Sequence, residues 1–279
     1  MDSNPLSKYF RQPSIYIRLP SGGRFWNEGA LDMPINNEIP VLPMTMRDEI
    51  TLKTPDALMN GAGVVSVIQS CCPNIKDAWN MPSIDIDYVL IAIRIASIGH
   101  AMDFDSKCPH CGEENSHSVD LRSLLDKIVC PDYTTKVEYG NLKFKIKPQP
   151  YFGKDRGNQI EFEEQKMMAA LNAADLEDDV RATHIQKSME RIIKLGIDNV
   201  VDSTEYVELD DGTIVSSPVF IKEFYTNAPR DLLNEVQTTI LATNKEAALK
   251  PLETNCTVCE KKYSIPLEFN YSNFFVKGF

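Results

Sequence analysis

Four of the seven cysteines in this 279-residue chain fall into two C-x-x-C pairs, Cys108/Cys111 and Cys256/Cys259, with 144 residues between them. Cysteine thiolates are strong zinc ligands, and four of them satisfy the ion in a tetrahedron with Zn–S near 2.3 Å, leaving no open position for water. The flanking residues indicate how the sulfurs meet. HAMDFDSK leads into CPHC and GEENSHSVDL leads out, while KPLETN leads into CTVC and EKKYSIPLEF leads out. Both flanks alternate with a period of two, so each pair is expected at the tip of a β-hairpin. Two tips face to face make a zinc ribbon, and the expected metal ligands are Cys108, Cys111, Cys256 and Cys259 around one structural Zn2+.

Other chemistries compete for these residues. CPHC is also the tetrapeptide of some thioredoxin-fold thiol oxidases, where the first thiol sits at a helix N-terminus that lowers its pKa. Here Gly112, Asn115 and an alternating strand follow instead. Zinc deaminases couple H-x-E to P-C-x-x-C, but His100 is followed by Ala-Met, so the glutamate is missing. His110 and His117 are expected to face solvent, and His184 to lie on a helix surface. Cys71, Cys72 and Cys130 are expected to act as small buried hydrophobes. Asp85 and Asp87 project about 200° apart on a helix, too far round to work as an acid pair, and are expected to complement the helix N-terminus. The chain has no Walker A, dinucleotide-binding, H-E-x-x-H or G-x-S-x-G motif. No catalytic residue is nominated, and the chain is not expected to be an enzyme.

The elements that must position the cysteines are α+β in class. IYIRLPSGG reads as a strand running into a turn, and Ile39, Val41 and Leu42 can pair only as an edge strand among Pro34, Pro40 and Pro43. Helices are expected from Thr45, from Thr54 with Pro55 at the first helical position, and from Ser83 to Gly99, where the apolar run demands a central place. Gly61 and Gly63 are expected inside the second of these helices, which Pro73 ends. Between the cysteine pairs, TKVEYGNLKFKIK and YVELDDGTIVSS read as hairpins. Helices are expected over 158–173 (core face Ile160, Met167, Met168, Leu171), 178–195 (Ile185, Met189, Ile192, Ile193), 219–225 and 230–249. The expected organisation is an extended arm over 1–52, a helical core with the first hairpin over 53–125, an inserted α+β region over 126–250, and the second hairpin with an aromatic tail over 251–279. Zinc would join its two ends and fix the base of the insertion. Phe274, Phe275 and Phe279 of the tail could dock on a neighbouring chain or on their own.

Composition narrows the partners. Lys plus Arg is 29 against 40 Asp plus Glu, giving a net charge of −11 that repels phosphate backbones, so direct nucleic-acid binding is not expected. No run of eighteen apolar residues spans a membrane, and the start shows no secretory pattern, which suits free thiols in a reducing compartment.

The run LPSGGRFWNEGAL, then IPVLPMTMRDEITLKTPDALMNG, then VIQSCCPNIKDAWNMPSIDIDYVLIAIRIASIGHAMDFDSKCPHCG resembles the baseplate hub subunits and hub assembly proteins of T-even-type contractile-tailed bacteriophages. The resemblance covers roughly residues 16–125. It implies a non-catalytic structural or assembly role, other baseplate and tail proteins as partners, a homo-oligomer of three-fold or six-fold symmetry about a tail axis, and a place in the virion after assembly in the host cytoplasm. The competing expectations are a zinc-ribbon adaptor of transcription machinery and a CPHC thiol oxidoreductase.

Overall fold

The computed structural model describes residues 4–54, 61–173, 178–267 and 274–275. It is α+β, with eight helices and small antiparallel sheets among the described residues. After a 3-10 turn (Pro5–Tyr9), β1 (Ile15–Ile17) pairs antiparallel with β2 (Ile39–Val41), Tyr16 standing opposite Pro40. Arg11 ties this arm to its own chain by donating to the carbonyls of Pro43 and Ser70, both at 2.7 Å, and by pairing with Asp48. Helix α1 (Met46–Leu52) starts as expected at Thr45, whose hydroxyl accepts the Asp48 N–H while the Asp48 carboxylate accepts the Thr45 N–H. The expected start at Thr54-Pro55 runs into residues 55–60, outside the described residues.

Helix α2 (Ala62–Cys71) does not contain Gly61. Gly61 is its N-cap, left-handed at φ 67°. The Asp155 carboxylate occupies the space beside it, so that a Cβ at position 61 would stand 2.5 Å from Oδ1. A side chain is excluded there twice, by sterics and by backbone conformation.

Helix α3 (Ser83–Ser97) is central, with Ile86, Val89, Leu90, Ile91 and Ile93 fully buried among residues of α2, β1 and β2. Ser83 does not cap it. Pro82 holds the N-cap position, and the Ser83 N–H is taken by the Gln149 carbonyl at 2.8 Å. Asp85 is completely buried and, instead of serving its own helix end, accepts the Ser21 N–H (2.8 Å), the Ser21 hydroxyl (2.6 Å) and the Trp26 indole N–H (3.2 Å). It fastens the SGGRFW loop to the core.

From α3 the chain enters β3 (Ala101–Lys107) and β4 (Glu114–Asp120), then a short helix α4 (Arg122–Leu125). The central region is a four-stranded antiparallel sheet in sequential order: β5 (Lys136–Tyr139), β6 (Leu142–Ile146), β7 (Thr204–Glu208) and β8 (Ile214–Val215). Two long helices, α5 (Tyr151–Ala173) and α6 (Asp178–Asp202), lie between the adjacent strands β6 and β7, α5 longer at its N-terminal end and α6 at its C-terminal end than the sequence pattern suggested. Helices α7 (Pro218–Asn227) and α8 (Arg230–Ala247) pack on this sheet around Phe144, Ile146, Val207, Tyr225, Val236 and Ile240, forming a second core. The chain closes with β9 (Leu252–Asn255) and β10 (Lys262–Ile265).

One expectation about burial fails. Met168, Met189, Ile192 and Ile193, read as core, are exposed. The reason is that α6 turns a different face to α5: Ser188 donates to the buried Glu164, Arg191 pairs with Glu163 and Glu164, and Leu195 lies against Gly157. In the tail, Phe274 is buried in the first core with the Arg94 guanidinium 5.6 Å from its ring centroid, so it docks on its own chain. Phe279 lies outside the described residues.

Candidate metal centre

Both cysteine pairs sit at hairpin tips. Strands β3 and β4 run in register from Ala101↔Asp120 to Lys107↔Glu114, and β9 and β10 from Leu252↔Ile265 to Asn255↔Lys262. Each tip then closes in the same way. The Cys108 N–H donates to the Glu113 carbonyl (2.9 Å) and the Gly112 N–H to the Cys108 carbonyl (2.8 Å); the Cys256 N–H donates to Lys261 (3.0 Å) and the Glu260 N–H to Cys256 (3.1 Å). The residue after the second cysteine is left-handed in both, Gly112 at φ 77° and Glu260 at φ 59°. Only the first is a glycine, so the second tip carries backbone strain. The turn aims N–H groups at sulfur: His110 at Cys108 Sγ (3.4 Å), Val258 and Cys259 at Cys256 Sγ (3.4 and 3.5 Å).

The two tips meet. All four sulfurs lie within 4.8 Å of one another, with Cys108–Cys259 at 3.7 Å and Cys111–Cys256 at 3.6 Å. A tetrahedron with Zn–S of 2.3 Å has edges of about 3.8 Å, so the quartet fits that ion in size and donor type. The close pairs run between hairpins and not within one C-x-x-C. Among the described residues no other group of three or more Cys, His, Asp or Glu side chains could hold a metal. The thiols differ in acidity. The N–H groups of Cys259 and Val258 draw Cys256 down to about 6. Cys111 accepts the Glu113 N–H, yet burial and the three neighbouring thiols push it up to about 12.

Side chains that no motif singled out join the tips. Asn115, buried at the start of β4, accepts the Thr257 N–H (2.8 Å) and hydroxyl (2.7 Å) through Oδ1 and directs Nδ2 at Cys256 Sγ (3.7 Å). One amide thus ties the first hairpin to the second and to a sulfur. His117, expected in solvent, is half-buried between hairpins: Nδ1 is 3.1 Å from Thr254 Oγ1 and Nε2 is 2.9 Å from Tyr263 Oη, which also meets Ser106 Oγ at 2.7 Å. These contacts join residues 137 and more positions apart, beyond any local signal. His110 is exposed, its ring 3.3 Å from the Lys262 carbonyl and apart from the sulfurs, and His184 lies half-exposed on α6. Cys71 and Cys72 are buried as expected, burial pushing Cys71 up to about 12 and Cys72 further. Cys130 is exposed, contrary to expectation: it lies in an irregular segment where its sulfur accepts from Arg24 Nη2 at 2.9 Å instead of packing in a core. A strand, β4, follows CPHC where a thiol oxidase requires a helix.

A family model described as T4 bacteriophage base plate protein matches residues 15–276. The chain belongs to that family. The match extends the resemblance seen in residues 16–125 through the inserted region and the second cysteine hairpin, so the whole ribbon lies within the baseplate family's span. Neither the curated proteins nor the solved structures searched contain a match. Membership carries a structural place in the phage baseplate, and no helix among the described residues is long and apolar enough to cross a membrane.

Proposed function

We propose that this baseplate protein is a structural or assembly subunit of the tail hub, non-catalytic, acting in several copies among other baseplate proteins, with a zinc ion on Cys108, Cys111, Cys256 and Cys259. The family match over residues 15–276 carries the baseplate part of this reading. The sulfur quartet supports the zinc part. The ion locks the two hairpins into one ribbon. The inserted region has further ties at its base: Tyr151 and Phe152 donate their N–H groups to Met81 (2.8 Å) and Trp79 (2.9 Å), and the Tyr88 hydroxyl reaches the Ala247 carbonyl (3.2 Å). Zinc therefore fixes the ribbon, while α3 and its neighbours hold the base.

The test pairs metal analysis with particle composition. Purified full-length protein should carry one zinc per chain, and Cys256→Ser should lose it. Mass spectrometry of purified tails should find the chain with the hub. Metal-free native protein would remove the zinc reading. Absence from both tails and hub assembly intermediates would remove the hub reading.

A further inference from the structure

Strand β1 uses only one of its edges. Its partner β2 carries Pro40 opposite Tyr16, and proline has no N–H, so the ladder bonds fall on the pairs Ile15↔Val41 and Ile17↔Ile39. The residue between two such pairs turns its N–H and C=O the other way. Tyr16 therefore points its main chain at the edge away from β2, and Arg18, two residues on, has the same phase. Among the described residues nothing bonds to the N–H or C=O of either. No other strand lies along that edge, since β1 and β2 form a sheet of their own.

A groove of about 590 Å³ runs there, and five consecutive residues, Ile15 to Leu19, line its near side. A groove over a sheet face would meet every second residue; one that meets all five follows the edge of the strand. The far wall is the end of α4 and the segment after it, where Leu125 and Ile128 present half-buried apolar side chains. Over the roughly 13 Å that five residues span, the volume gives a section of about 45 Å², close to that of one strand at about 4.8 Å by 10 Å. The charges at the mouth answer each other, Arg18 pairing with Glu38 and Arg122 with Asp120.

Resting on the baseplate reading above, we propose that this edge receives an extended segment of another baseplate protein, which adds to β1 as a third strand. Unpaired main-chain donors and acceptors at a strand edge are satisfied by another main chain in extended form. The occupant carries no proline at the positions facing Tyr16 and Arg18, and it offers an apolar side chain to Leu125 and Ile128. A second copy does not meet the need. Every strand of this chain among the described residues already lies beside a partner strand, and the groove takes one strand alone. Pairing of β1 with its own copy would drive the wall of each groove into the other. Recognition thus rests on the main chain and on apolar contact, and is insensitive to salt.

Hydrogen exchange of the zinc-loaded full chain, alone and in the tails or hub intermediates that contain it, tests this. Alone, the Tyr16 and Arg18 amides should exchange freely while those of Ile15 and Ile17 are protected; in the complex the first two should slow by about tenfold or more. Tyr16→Pro removes the outward N–H, leaves the bonds to β2 in place, and should lower recovery in the complex by about tenfold. Tyr16→Ala keeps the main chain and should stay within about twofold of native. Ile128→Glu, on the far wall and outside β1, should act as Tyr16→Pro does, and it decides the matter where the proline variant fails to fold. Unchanged exchange at Tyr16 and Arg18 in the complex overturns the proposal, as does a folded Tyr16→Pro chain that enters the complex like native. Equal loss with Tyr16→Ala also overturns it, assigning recognition to the ring. Protection that appears in the isolated chain as its concentration rises does the same, giving the edge to a second copy. Failure of the hub reading shows separately, as absence from tails and hub intermediates; the exchange comparison then uses the baseplate complex that does hold the chain.

Discussion

In the first core, α3 alone buries Ile86, Val89, Leu90, Ile91 and Ile93 completely, whereas in the ribbon β3 buries none of its seven residues and the apolar cluster consists of Cys108, Cys256, Tyr263 and Ile265. Each fully buried aliphatic side chain is worth about 1.5–3 kcal/mol, so α3 supplies a hydrophobic stabilisation that the ribbon cannot match. The ribbon relies on directed bonds instead: in-register ladders, the Asn115 link, the His117–Tyr263–Ser106 group and the sulfur quartet. Two kinds of cohesion therefore coexist in one chain. One depends on area removed from water, the other on geometry at a few atoms, and they should respond to different insults.

The largest expected effect is on the ribbon. Structural zinc sites contribute about 10–16 kcal/mol of apparent binding free energy in small domains, more than the ribbon's apolar cluster can replace. Chelation should abolish hydrogen-exchange protection at 101–120 and 252–265 while α3 amides keep theirs. Loss of protection at α3 in the same step would show that the two regions are one cooperative unit and end the comparison. The converse lesion is Phe144→Ala, which removes a fully buried ring from the second core. It should cost about 3–5 kcal/mol in denaturant unfolding, with zinc content unchanged. Loss of metal in that variant would tie the ribbon to the sheet.

A smaller effect sharpens the comparison from the core side, where Asp85 is the exception to apolar cohesion. Burial pushes its carboxyl up to about 7, against the pull of the Ser21 and Trp26 donors. Because the folded state then holds a proton that the unfolded chain has released above about 4, this group's contribution falls as pH rises from about 4 to about 7 and is flat beyond. Asp85→Asn should remove that slope and shift overall stability by about 1–2 kcal/mol. An unchanged slope across the same range would mean that other groups set the pH response.

Local pattern carried much of this architecture in the sequence. The C-x-x-C tips, their alternating flanks, the capping Thr45 and the apolar run of α3 are each specified by neighbours within a few residues, and the structure reproduces them. What escaped depends on distant partners. Gly61 read as a helix interior because its occupant, the Asp155 carboxylate, arrives from α5. That Gln149 takes the Ser83 N–H at the start of α3 is likewise invisible in the local sequence. Asn115 shows its role only once Thr257 stands opposite. Met189, Ile192 and Ile193 show a further limit: periodicity says that a face is apolar, but not whether the same chain covers it. The four clustered cysteines were legible from spacing, while the residues that hold them together were not.

The placement of α5 and α6 has a consequence for how the molecule can vary. The chain leaves the sheet at Ile146 and returns at Thr204, which pair directly, and the Lys147 N–H donates to the Ser203 carbonyl at 2.9 Å. Departure and return are side by side. The helical hairpin is a detour that the sheet does not need for closure, so its length can change without disturbing strand order. Adding or removing seven residues from each helix would move its tip by about 10 Å and keep the facing residues in phase. The hairpin can thus serve as an adjustable spacer, its reach set independently of the fold that carries it.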